Sequence, residues 1–263
     1  MKLKVRGFEM GYDDTGGAGP PLVLIHGYPL DRTLWSAQTH ALADGARVIA
    51  PDLRGFGESA LPRADATMDT YADDVRALLD ALGIKNAIIA GLSMGGYIAF
   101  AFYRKYAHRV RALILADTRA TADTPEGKLG RDASIALARE QGAGAIADAM
   151  VPKSLTVHTL ATNHALTNAT RALLARQSVD TIVTALGALR DRPDSTPTLA
   201  DISAPTLIIV GAEDAITPVK DSEMMRDAIR GARLAIIPNA GHLANIEQPD
   251  EFNRVVREFL QAL

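Results

Sequence analysis

The sequence predicts an α/β fold: a mostly parallel central sheet with helices on both faces and an inserted helical cap. Three observations predict it. Short continuous apolar runs alternate with amphipathic helical patterns through residue 118. Between 119 and 199 the alternation stops, and only alanine- and leucine-rich helical stretches remain. It resumes at 200, so residues 1–118 and 200–263 are read as one core and 119–199 as a cap inserted in it. A structureless insertion of that length is unusual in a compact domain.

The elements follow in order. Lys2 to Arg6 and Phe8 to Asp13 read as a hairpin around Gly7, and Pro21 to Ile25 as a strand that stops at His26-Gly27. Leu34 to Leu42 suits a short helix and Arg47 to Ala50 the next strand. Thr67 to Leu82 is an amphipathic helix: Tyr71, Val75, Leu78, Leu79 and Leu82 share one face, with Asp73, Asp74 and Arg76 on the other. Asn86 to Ala90 reads as a buried parallel strand, Tyr97 to Tyr103 as a core-facing helix, and Val110 to Ala116 as another strand. In the cap, Leu129, Ala133 and Leu137 share a helical face, as do Ile182, Leu186 and Leu189. Strands return at Pro205 to Val210 and Leu234 to Ile237, and Pro249 to Leu263 forms the closing helix.

Bulk composition narrows the function classes. The chain has 263 residues, 48% hydrophobic and 22% charged, which suits one well-packed domain with an insertion. The formal net charge is −3 and the basic residues are dispersed, so neither a nucleic-acid nor a membrane partner is expected. There is no cysteine, which removes disulfides, thiolate metal sites and cysteine nucleophiles together. The basic N-terminal residues have no apolar stretch behind them, and no apolar run approaches the ~18 residues of a membrane span. A cytoplasmic location is expected.

The chemistry centres on Gly91-Leu92-Ser93-Met94-Gly95-Gly96. Strand, G-x-S-x-G, helix is the setting of a nucleophile elbow, a turn so tight that side chains two residues either side of the serine would collide. A serine hydroxyl needs a base to take its proton, and the base needs a third group to fix its tautomer. Asp214 follows one strand in Gly211-Ala212-Glu213-Asp214, and His242 follows the last in Asn239-Ala240-Gly241-His242. Both therefore emerge at the carboxyl edge of the sheet, where open α/β folds place their sites. Ser93, Asp214 and His242 are the expected catalytic triad. Asp117 also ends a strand and is the rival acid, with a structural or pocket role favoured; His26 is expected to brace its loop by hydrogen bonding. The segment from Asp52 to Ser59 is read as a structural turn. No His/Asp/Glu cluster has ligand spacing, and no dinucleotide-binding or Walker loop is present, so neither metal nor cofactor is expected.

On these residues the chain resembles a serine member of the α/β-hydrolase superfamily over nearly its full length. His26-Gly27, Asp52-Leu53-Arg54-Gly55-x-Gly57-x-Ser59, the elbow, Gly211-x-x-Asp214 and Gly241-His242 stand in family order. Asp117 to Ala120 and Arg192 to Pro197 are similar to carboxylesterases and β-ketoadipate enol-lactone hydrolases. Leu24 to Asp31 is similar to cofactor-free bacterial haloperoxidases. Serine at 93, in place of aspartate, separates the chain from haloalkane dehalogenases and epoxide hydrolases. The resemblance implies an oxyanion hole made by the backbone N–H groups of Met94 and Tyr28, since Pro29 has none to give. It implies hydrolysis of small-molecule carboxylic esters of small to medium acyl chain through an acyl-enzyme. Enol-lactone hydrolysis and cofactor-free perhydrolase or haloperoxidase chemistry are the alternatives, with a non-catalytic small-ligand receptor as the reading from another class. Leu30, Trp35, Ile216 and Leu243 are expected to line the substrate pocket, with Met150 and Val151 from the cap. Lys128, Arg131 and Arg139 are the cations available to a substrate carboxylate.

Overall fold

The apolar runs assemble into one sheet of eight strands in the order β1-β2-β4-β3-β5-β6-β7-β8. A computed structural model describes residues 1–62 and 66–263. The strands are β1 (Lys2–Val5), β2 (Phe8–Asp14), β3 (Pro21–Ile25), β4 (Arg47–Pro51), β5 (Ala87–Leu92), β6 (Val110–Ala116), β7 (Thr206–Gly211) and β8 (Arg233–Ile237). β1 and β2 pair antiparallel, β2 joins β4 antiparallel, and every later pairing is parallel.

The period of two along each strand sorts the core into two layers. Val23, Ile25, Ile89, Leu113, Leu115 and Ile208 face a layer that holds α2 (Met68–Ala81), α3 (Met94–Tyr106) and α9 (Val219–Ala228). Leu22, Leu24, Ile88, Ala90, Ile114 and Ile209 face the other, which holds α1 (Ser36–Leu42), α10 (Ala244–Glu247) and α11 (Pro249–Gln261). In that second layer α11 buries Phe252, Val256 and Phe259, each about 1.5–3 kcal/mol of apolar burial. Parallel strands covered on both faces need no polar alternation, which is why β5 and β7 are buried along their whole length.

Between β6 and β7 the chain forms α4 (Pro125–Ser154), α5 (Val157–Thr162), α6 (His164–Leu174), α7 (Val179–Arg190) and α8 (Thr196–Leu199). α4 is broken at Gly142, whose φ of 81° and ψ of −177° lie where essentially only glycine is comfortable. Its two arms are thereby aimed separately.

Leu129, Ala133 and Leu137 fall on one face of the first arm of α4, with Leu129 68% exposed, while Ile182, Leu186 and Leu189 on α7 are buried. Two details depart from the sequence expectations. α9 has no counterpart in the sequence reading, because only Ser222 and Met225 of it are buried and no apolar stripe marks it. Asp74 does not sit on the solvent face of α2. It is fully buried, where Arg54 donates to its two carboxylate oxygens at 2.5 and 2.7 Å. Among the described residues, no helix is long and apolar enough to cross a membrane.

Candidate active site

Ser93 caps the N-terminus of α3 with φ 54° and ψ −113°, a backbone conformation a side-chain-bearing residue adopts only under constraint. The constraint is visible on both sides. A Cβ on Gly91 would fall on the carbonyl oxygen of Gly95, and one on Gly95 on the carbonyl oxygen of Ile25. The Ser93 N–H donates to the Ala116 carbonyl at 2.9 Å, and the Thr118 hydroxyl donates to the Ser93 carbonyl at 2.8 Å. Strand, turn and helix thus hold the serine hydroxyl out of the sheet edge.

The structure brings Ser93, His242 and Asp214 together from three strand ends. His242 Nε2 lies 2.9 Å from Ser93 Oγ, and His242 Nδ1 lies 2.8 Å from Asp214 Oδ2. Asp214 is itself fixed: its Oδ1 accepts from the Ile216 and Thr217 N–H groups, and its Oδ2 from the Thr217 hydroxyl at 2.6 Å. Burial pushes the Asp214 carboxyl up, but the His242 ring and the Thr217 donors outweigh it and hold the group below its ordinary value. An ionised Asp214 requires the proton on Nδ1 of His242. Nε2 then presents its lone pair to the serine hydroxyl, which is the arrangement a general base needs.

Tyr28 and Met94 both border the cavity at Ser93, and among the described residues their backbone N–H groups have no hydrogen-bond partner. Met94 is the first residue of α3, so its N–H also stands at the positive end of a helix dipole. Two unpaired donors beside the Ser93 hydroxyl can hold an oxyanion.

The rival acid and the loop histidine have structural partners. Asp117 Oδ1 accepts from the Gly211 N–H at 2.8 Å and ties the carboxyl ends of β6 and β7 together. Burial, and then the charge of Asp214, push the Asp117 carboxyl well above the usual range. His26 Nδ1 donates to the Gly27 carbonyl at 2.8 Å, and its Nε2 accepts from the Leu53 N–H at 3.0 Å. Burial lowers the His26 ring below the usual imidazole value, consistent with that neutral, accepting role. Asp52 is equally engaged: its Oδ1 takes the Arg32 N–H and its Oδ2 the Glu58 N–H, each at 2.8 Å.

Ser93 opens into a cavity of about 240 Å³. Its floor is Tyr28, Ser93, Met94, Tyr97, Ile216 and His242, and its roof comes from the cap. The first arm of α4 contributes Arg131, Ser134 and Leu137; the second contributes Ile146, Ala149, Met150 and Lys153; α7 adds Leu186 and Leu189. Of the expected lining, Ile216 and Met150 border the cavity. Leu30, Trp35 and Leu243 do not: each is at most 2% exposed and packs in the α1–α11 layer, where the Trp35 and Phe252 rings lie 6.1 Å apart. Val151 belongs to the same layer. Of the three cations, Arg131 borders the cavity, Arg139 lines a separate cleft with Arg190 and Asp191, and Lys128 is exposed on α4.

Glu247, which no motif marks, joins the cap to the histidine loop. Its Oε2 accepts from the Gly241 N–H at 2.6 Å, and its Oε1 from the N–H and hydroxyl of Thr156, the cap residue of α5. Only its spacing of five residues after His242, at the end of a short helix, hints at this from sequence. Among the described residues, no group of three or more His, Asp or Glu side chains is placed to hold a metal ion.

The sequence matches the family model for the alpha/beta hydrolase fold over residues 20–249. A thermophilic esterase from Thermogutta terrifontis superposes with a TM-score of 0.96 at 40% identity, covering 100% of this chain and 98% of that one. The enol-lactonase from Burkholderia xenovorans gives 0.92 at 30% identity, covering 99% and 100%. A bromoperoxidase from Bacillus anthracis gives 0.88 at 26% identity over 99% and 100%.

Proposed function

The chain belongs to the α/β-hydrolase family, and from that premise we propose that it is a serine hydrolase cleaving carboxylic esters of small to medium acyl chain. The relay from Asp214 through His242 to Ser93, at 2.8 and 2.9 Å, carries this reading. Ser93 Oγ attacks the ester carbonyl while His242 Nε2 takes its proton, and the Tyr28 and Met94 N–H groups hold the oxyanion. His242 then protonates the departing alcohol oxygen. In the second half water, deprotonated by His242, attacks the acyl-enzyme, and the proton returns to Ser93 as the acid leaves. Each oxyanion donor supplies about 3 kcal/mol of transition-state stabilisation in such sites. The cavity, at about 240 Å³, is below the ~300–1,000 Å³ usual for ligand pockets, which favours small esters. A lactone is the same bond closed into a ring and would use the same atoms in the same order.

The test is hydrolysis of p-nitrophenyl esters from acetate to decanoate by wild type and Ser93→Ala. Activity that peaks at short chains and falls about 10⁴-fold or more in Ser93→Ala is expected. Turnover that survives the substitution would remove Ser93 from the mechanism. No turnover at any chain length would leave a specialised lactonase or a receptor.

A further inference from the structure

The loop that carries His242 is fastened to the sheet on one side and to the cap on the other. On the sheet side, the Ala240 carbonyl accepts from the Glu213 N–H at 2.9 Å. On the cap side, the residues immediately before and after His242 are both tied to the junction between α4 and α5. The Leu243 N–H donates to the carbonyl of Ser154, the last residue of α4, at 3.2 Å. The Gly241 N–H donates to Glu247 Oε2 at 2.6 Å, and Glu247 Oε1 accepts from the N–H and the hydroxyl of Thr156 at 2.9 and 3.0 Å. The junction lies directly against the loop: a Cβ on Gly241 would stand 3.2 Å from the Ser154 carbonyl oxygen, the Leu155 carbonyl carbon and Glu247 Oε2. It is also continuous with the cavity, because Met150, which borders the cavity, accepts the Ser154 hydroxyl on its carbonyl at 2.9 Å. Ser154 and Thr156 are buried, so water does not compete for these bonds.

The donors explain the residue type at 247. Groups on both sides need an acceptor, and a carboxylate offers one to each. A glutamine would turn its amide donor toward either the Gly241 N–H or the Thr156 N–H. The imidazole itself is steered by one short bond, to Asp214. Where its Nε2 points therefore depends also on where the backbone of the loop sits.

We propose that Glu247 is a positioning residue: it locks the His242 loop to the α4–α5 junction of the cap and so sets the reach of His242 Nε2 to Ser93 Oγ. The proposal rests on the serine-hydrolase reading above, in which His242 is the base in both halves of the reaction. A displacement of about 1 Å costs on the order of 100-fold in rate. Releasing the loop slows the proton transfers while the cavity keeps its lining. The cap then acts as a support of the base as well as a roof over the substrate.

The experiment measures kcat and KM for p-nitrophenyl acetate and butyrate in wild type, Glu247→Gln, Glu247→Asp and Thr156→Val. Rates are expressed per reactive Ser93, counted by the stoichiometric release of p-nitrophenol from paraoxon, so that a misfolded fraction drops out. Glu247→Gln is expected to lower kcat per site about tenfold or more, with KM held within about twofold. Glu247→Asp, which keeps both oxygens on a shorter stem, is expected to recover part of the loss. Thr156→Val removes one donor to Glu247 and keeps both N–H bonds, so a smaller fall of about threefold is expected. It supplies the readout if Glu247→Gln does not fold. Combined with Glu247→Gln, the Thr156→Val step should no longer lower kcat, while its cost in melting temperature, from the lost cap of α5, should remain. An unchanged kcat per site in the Glu247 variants and in Thr156→Val, whatever the fall in melting temperature, would overturn the proposal and leave Glu247 a brace of the fold. No turnover of any ester by wild type would overturn the hydrolase reading, and this proposal with it.

Discussion

The two sides of the cavity are built by different physics. On the sheet side, glycines mark places where atoms already touch: a Cβ on Gly91, Gly95 or Gly211 would fall on a backbone carbonyl oxygen, and one on Gly96 on the Thr118 side chain. On the cap side, a Cβ on Gly130, Gly142, Gly144 or Gly187 would meet nothing within 4 Å. The sheet side fixes Ser93, His242 and Asp214 through hydrogen bonds and steric exclusion. The cap side presents side chains on helices where these four glycines face open space. Reaction chemistry needs the first kind of construction, because small displacements of reacting atoms cost large factors in rate. Substrate choice can live with the second.

Three substitutions press on that contrast. Gly95→Ala should have the largest effect: the elbow must open to admit the methyl group, so ester hydrolysis falls by at least about 100-fold, the scale of a misplaced reacting group. Circular dichroism and an activity assay on the same sample would measure it, and a near-normal rate would break the comparison. Asp117→Asn should act in the opposite direction on stability. The native state holds the Asp117 proton to higher pH than the unfolded chain, so wild-type stability falls as pH rises above the unfolded value of about 3.9. An asparagine escapes that loss and keeps an acceptor for the Gly211 N–H. Urea midpoints should therefore favour the variant at pH 8 and converge toward pH 4; an offset independent of pH would show that titration is not its cause. Gly187→Ala, in the interior of α7, should give the smallest change, a gain of about 0.5–1 kcal/mol with the ester rate unaltered. A loss of stability there would mean the cap is packed as tightly as the sheet.

The same division explains what could be read from the sequence. Buried parallel strands announce themselves as unbroken apolar runs, and the elbow, Asp214 and His242 sit directly after them, so strand ends and chemistry were legible together. The cap was legible as helix but not as a surface. Which residues of α4 roof the cavity depends on the break at Gly142, and helical periodicity run straight through 125–154 cannot supply it. Lys153 and Ser134 went unread for that reason, and Tyr97, on α3, was read only as part of a core-facing helix. Trp35, Leu30 and Leu243 erred differently: a large apolar residue near a motif is as well suited to core as to pocket, and only the sheet's two-layer sorting decides. Asp74 shows the limit of amphipathicity. Its partner Arg54 comes from a distant turn, and an ion pair made there is invisible to a pattern read along one helix.

The position of the cap between β6 and β7 also has a consequence for synthesis. β6 is flanked in the sheet by β5, made earlier, and by β7, which is translated after the entire insertion. At roughly 5–20 residues per second, the intervening stretch of about 90 residues takes on the order of 5–18 s to leave the ribosome. Throughout that interval Leu113, Ile114 and Leu115 lie on a strand with one edge unpaired. Slowing elongation within the insertion lengthens the exposure of that edge, and yield in the cell becomes a matter of how the nascent chain is shielded while it waits for β7.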